Sequence, residues 1–132
     1  MSKAILDALN SRLDATASLV TIVGSKIYLQ EGPTDVNPPL LVYKATAVRT
    51  IPYFGAVGRV EIDLDFIFHI GNAGTTTGYT AAAALATALS TPLTSVTGYD
   101  RVRFTQVESG VPSFEDDSWS IVERYRAIAH DT

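Results

Sequence analysis

The chain has no cysteine. That excludes disulfides, thiol catalysis and thiolate metal sites, and it fits folding in a reducing cytoplasm. Histidine is scarce: His69 and His130 are the only two, far apart in the chain, which is a poor basis for a metal centre. Basic residues are outnumbered, 10 against 14 acidic ones, for a net charge of −4. Such a chain has no general electrostatic hold on nucleic acid phosphates. No uninterrupted apolar run approaches the roughly 18 residues of a membrane span, and Met1 to Asp7 lack the apolar core of a signal peptide. The expectation is no membrane contact and a protein that stays in the cell that makes it, unless it leaves inside a larger particle. Also absent are the phosphate-loop pattern G-x-x-x-x-G-K-[ST], the G-x-G-x-x-G fingerprint, the G-x-S-x-G elbow and any internal repeat.

What is present begins with residues 59–70. Val60, Ile62, Leu64, Phe66, Phe68 and Ile70 alternate with residues that are charged or polar, Ile67 excepted. Successive strand side chains point to opposite faces, so this is a long strand with one buried and one wet face. Such alternation belongs to an antiparallel sheet covered on one side only. A length of 132 residues with 46% apolar content suits one core.

Around that strand the pattern predicts a helix over 3–14, with Ile5, Leu6, Leu9 and Leu13 on one face, and a second short helix or turn over 15–23 stopped by Gly24. Strands are predicted over 26–29, 40–48, 99–108 and 119–129, and an Ala-rich helix over 78–91 ending near Pro92. Loops are expected over 30–39, 49–58, 71–78 and 109–117 from their Pro and Gly content. The expected pairs are 40–48 with 59–70 and 99–108 with 119–129. The expected fold is a single α+β domain over residues 1–132. It has a mainly antiparallel sheet of about four to five strands, with helices packed on one face.

Three groups of residues invite a chemical reading. Glu61, Asp63 and Asp65 share the wet face of the long strand, about 6.6 Å apart. The spacing suits a carboxylate pair for acid/base work or a divalent ion. It also suits a solvated face, or an acidic pore wall that keeps passing DNA from sticking. Arg101 with Arg103, and Arg124 with Arg126, form same-face pairs that could meet Glu61, Asp63 or Glu123. Gly71, Gly74 and Gly78 lie between a strand and a helix, as a phosphate-cradling loop does, although the spacing matches no nucleotide motif. Tyr53 and Phe54, flanked by Pro52 and Gly55, are loop aromatics that either cover the core edge or meet a partner. No catalytic constellation emerges, and no cofactor or metal site is expected.

The chain resembles the small tail-completion or tail-terminator proteins of long-tailed bacteriophages. The resemblance starts at the first helix, Leu19-Val20 and Gly24-Ser25-Lys26-Ile27-Tyr28, where the family runs a leucine-rich helix into a glycine and an Ile/Val-Tyr step. It continues through Gly32, Pro38-Pro39 and Leu41-Val42-Tyr43, the amphipathic strand, the Ala-rich helix at 79–91, and the closing Ile121, Tyr125 and Arg126. The resemblance implies a structural virion protein without enzymatic activity. It implies a homo-oligomeric ring, usually a hexamer, that ends tail-tube polymerisation and docks the head connector. Its partners would be the major tail tube protein and the connector or stopper, with DNA only passing through the pore. Candidate interface residues are then Tyr53, Phe54, Asn72, Thr75, Thr76, Phe114, Glu115 and Asp116, and the candidate lumen face is Glu61, Asp63 and Asp65. The alternatives are another neck ring, a small ligand- or nucleotide-binding module on the 71–78 loop, or an enzyme built on Asp63 and Asp65.

Overall fold

The computed structural model describes residues 2–30, 37–51, 58–72, 74–115 and 118–131. Two N-terminal helices, α1 (Ser2–Ala15) and α2 (Ala17–Val23), precede β1 (Ile27–Leu29), β2 (Leu40–Ile51) and β3 (Arg59–Gly71). Then come α3 (Thr75–Ala88), β4 (Tyr99–Ser109), β5 (Ser113–Glu115) and β6 (Ser118–Asp131). The fold is α+β. The strands form one sheet in the order β1-β2-β3-β6-β4, with β5 also on β6. Both expected hairpins are present, and β3 pairs with β6 at the centre. Among the described residues no helix is long and apolar enough to cross a membrane.

The alternation of β3 sets the layers. Val60, Ile62, Leu64, Phe66, Phe68 and Ile70 are each at most 2% exposed, and all three helices lie on that side. Ile5, Leu9 and Leu13 of α1 and Leu19 and Val23 of α2 are wholly buried in the same core. Helix α3 presents Ala81, Ala84, Leu85 and Ala88 to it, a stripe of small side chains at helical spacing that lets the helix lie close to the strands. Arg12 of α1 fastens the far end of α3. Its guanidinium donates to the carbonyls of Ala88 and Thr91, both at 2.9 Å, where the helix leaves its last carbonyls without partners and the dipole is negative.

Three expectations needed correction. The sheet is mainly antiparallel, as expected, with β1 running parallel to β2, but it has six strands instead of four to five. The Gly/Thr segment 71–78 is mostly not a loop: α3 starts at Thr75, three residues before the expected start. Gly78 is inside that helix, and a Cβ there would lie 3.7 Å from Ile70 and 3.8 Å from Ile121. The helix is therefore placed by close contact with the sheet. Finally, the 109–117 segment is not simply a loop. Ser113, Phe114 and Glu115 pair with Ser120, Trp119 and Ser118 as β5, continuing the β4–β6 hairpin past a bend at Gly110 to Pro112. The Phe114 and Trp119 rings, 5.1 Å apart, hold that continuation.

Candidate functional site

The wet face of the sheet is where the chemically rich residues gather. Antiparallel pairing places Arg49 of β2 opposite Glu61, and Arg126 and Arg124 of β6 opposite Asp63 and Asp65. Asp63 Oδ1 accepts hydrogen bonds from Arg49 Nη2 and Arg126 Nε, each at 2.9 Å. Glu61 lies 2.9 Å from Arg59 Nη2 and 3.7 Å from Arg49 Nε. Arg124 bridges Asp65 at 3.3 Å and Glu108 of β4 at 2.8 Å. Four arginines thus meet four carboxylates. The expected acidic row is real, but it is not bare. Every carboxylate in it carries an arginine, and with Lys44 level with Asp65 and Arg103 level with Glu61 the face carries six cations against four carboxylates. A shallow groove of about 230 Å³ crosses this face, lined in part by Thr46, Asp63, Asp65, Val107, Arg124 and Arg126.

The hydrogen bond from Arg49, then that from Arg126, holds the Asp63 carboxyl below its ordinary pKa. A lowered native pKa means the native state binds fewer protons than the unfolded chain, so stability rises with pH. The contribution is present above the ordinary aspartate value and is lost as acid titrates the group through its folded one. Asp63→Asn is therefore expected to flatten the loss of stability below about pH 4. Urea unfolding at several acidic pH values checks this, and an unchanged slope contradicts it. The effect is modest because both arginines are substantially solvated.

Glu123 departs from its expected role. It is not an arginine partner on the wet face. It lies on the helix side, opposite Phe66, and is 1% exposed. Gln106 Nε2 donates to it at 2.6 Å and Ser109 Oγ at 3.1 Å, and the Gly110 backbone N–H adds a third bond. Burial raises its pKa against those bonds. Gln106 and Ser109 reach the same carboxylate because a bulge inserts Val107 between them, which turns both to one face. The signal was in the sequence: Trp119, Ile121, Glu123, Tyr125 and Ala127 share one parity.

The candidate interface residues fall into two groups. Gly71 pairs with Trp119, which pairs with Phe114. This brings Asn72, Thr75 and Thr76 to the same end of the sheet as Phe114 and Glu115, and all five are exposed. Tyr53, Phe54 and Asp116 lie outside the described residues. The strands leading to Tyr53 and Phe54 end at Ile51 and Arg59, at the opposite end of the sheet. His69 is on the wet side, as its parity requires, and burial lowers its pKa. The carboxylates and the 71–78 segment are not brought together into one pocket: the segment sits at a sheet end, and the carboxylates lie along the mid-face.

One sheet face is sealed by helices and the other is laced by ion pairs, with exposed side chains at both ends, so the domain is organised as an assembly part. The model of the tail completion protein gp17 family matches residues 7–130. The chain belongs to that family and is a structural component of a phage-type tail. None of the curated protein sequences matches it. Among solved structures it is similar to a chain in the virion of a native gene transfer agent particle. The two share 20% identity and a TM-score of 0.72, over 94% of this chain and 92% of that one. A second solved chain is 16% identical with a TM-score of 0.61, over 100% and 96% of the two lengths. At these identities both likenesses speak for the fold.

Proposed function

We propose that this protein is a tail terminator. Copies form a ring, of six in the simplest case, on the tip of the tail tube, stop its polymerisation and present a docking face to the head connector or stopper. The protein performs no reaction. It assembles in the host cytoplasm and remains in the virion neck. Membership of the tail completion family over residues 7–130 carries this reading. The placement of exposed residues supports it. Asn72, Thr75, Thr76, Phe114 and Glu115 gather at one sheet end and the strands flanking Tyr53 and Phe54 finish at the other, so each end can meet a different ring.

The test is to assemble particles without this protein. Overlong tails and unattached heads are expected, with both defects repaired by adding it back. Tails of normal length joined to heads would overturn the proposal, and tails of normal length without heads would make it a different neck ring.

The ion-paired face is proposed to line the pore. A wall whose carboxylates neutralise most of its cations holds DNA phosphates only weakly. Changing Glu61→Gln, Asp63→Asn and Asp65→Asn together leaves arginines uncompensated. The triple variant is expected to retain DNA in the particle, or slow its exit, by an amount that shrinks as salt rises. Unchanged ejection at low salt would remove this face from the pore.

A further inference from the structure

A ring of identical subunits joins two different patches of each copy, and the two open edges of this sheet supply a matched pair. On one side, β1 covers β2 only at Leu41 to Tyr43, and the Gln30 side chain accepts the Ala45 N–H. Residues 46–51 lie beyond these plugs. On the other side, the outer edge of β4 is taken up at Val102 by Leu93, through bonds of 2.9 Å in each direction. Residues 103–109 lie beyond that one. Following the register across the sheet, Ala47 is level with Asp63, Arg126 and Thr105, and Val48 is level with Ile62, Ala127 and Phe104. Among the described residues the open windows therefore stand at the same height on opposite edges.

We propose that neighbouring copies of this chain join edge to edge, the 103–107 stretch of β4 in one lying beside the 46–49 stretch of β2 in the next. This rests on the ring reading above. Strand direction permits it. The directions of β2, β3, β6 and β4 alternate, so a copy rotated about an axis along the strands brings its β2 antiparallel to β4 and the alternation continues. Charge favours it. Lys44, Asp65, Arg124 and Glu108 form one level row of alternating sign, and edge joining brings the Glu108 of one copy to the level of the Lys44 of the next, across the Gln30 plug. Lys44 makes no ion pair among the described residues, so the contact gives it one. The same register places Arg103 beside Arg49, whose charge is already drawn inward onto Asp63 and Glu61.

The absence of cysteine makes the test clean. Ala47 and Thr105 are three strand spacings apart within a chain, about 14 Å, too far for a disulfide. A chain carrying both Ala47→Cys and Thr105→Cys, oxidised at assembling concentration, should give a ladder of covalent oligomers ending at the ring size. Either single variant should stop at dimers. Separately, Lys44→Glu should weaken assembly at least tenfold by native mass spectrometry, and adding Glu108→Lys should restore it. If the unaltered protein forms a closed ring but the double-cysteine chain does not cross-link, or the reversed pair does not recover, this seam is wrong and the ring reading survives. If no ring forms, alone or on tail tubes, both fall.

Discussion

Phe66→Ala is expected to destabilise the fold by about 3–5 kcal/mol. Phe66 is wholly buried at the centre of an aromatic row across three strands. Its ring stacks on Tyr43 at 5.6 Å and 18° and meets Tyr125 edge-on at 5.7 Å and 89°. Removing it opens a cavity and strips both tyrosines of a partner. The loss reaches α1, because Tyr43 donates its hydroxyl to Asn10 Oδ1 at 2.9 Å. The same burial, with Asp14 and Asp7 nearby, pushes the Tyr43 pKa up to about 12. Domains of this size are stable by only about 5–15 kcal/mol in all, so the variant is expected to be partly unfolded at 37 °C and, on the proposed reading, to leave tails overlong and heads unattached. Urea unfolding followed through Trp119, the single tryptophan, measures it. Phe66→Leu is the control, with a loss of about 1.5 kcal/mol or less. A loss below about 1 kcal/mol for Phe66→Ala would mean the row is not the keystone of the core.

How much of this was readable from the chain depends on whether the signal is local. The period-2 alternation of β3 is local, and it correctly placed six core residues and the carboxylates opposite them. Two of the arginine partners of those carboxylates, Arg124 and Arg126, were present as a same-face pair; Arg49 and Arg59 were not singled out, and the other pair, Arg101 and Arg103, makes none of these ion pairs. Assigning them required knowing that β3 lies between β2 and β6, and the β3–β6 pairing joins residues 48 to 71 apart that no local pattern connects. The start of α3 was hidden because Thr75 to Thr77 are poor helix formers and Gly78 reads as a breaker. Contact of Gly78 with Ile70 and Ile121 overrides that propensity. Strand β5 was hidden by Gly110 and Pro112, which signal a turn, and it is too short to show a period. It exists because β6 offers it a ladder and Trp119 offers Phe114 a ring. Glu123 was missed for a different reason: its parity was visible, but a carboxylate on an apolar face is normally disfavoured, and the three donors that satisfy it come from β4 and the bend after it.

Those donors make the bend at Gly110 the second place where one substitution has a large expected effect. A Cβ on Gly110 would lie 2.2 Å from the carbonyl oxygen of Val122, a backbone atom of β6. A flexible side chain could move aside, but a strand in the middle of two ladders cannot. Gly110→Ala must therefore lift the bend from β6. Lifting it removes the Gly110 N–H, and with it the Ser109 hydroxyl, from a carboxylate that is 1% exposed. Overpacking and a buried anion short of donors together are expected to cost about 2–5 kcal/mol. The damage is directional. The core between β3 and the helices contains nothing from this bend, so helix and strand content should largely persist. Strand β5 should leave β6, the Phe114–Trp119 contact should open, and Trp119 emission should move to the red. Because Phe114 and Glu115 then lose their fixed place beside Asn72 and Thr75, head joining should fail before tail length does if this end meets the connector, and in the reverse order if it meets the tube. Native Trp119 emission and full particle yield with Gly110→Ala would show that the bend tolerates a side chain and that Glu123 is not its anchor.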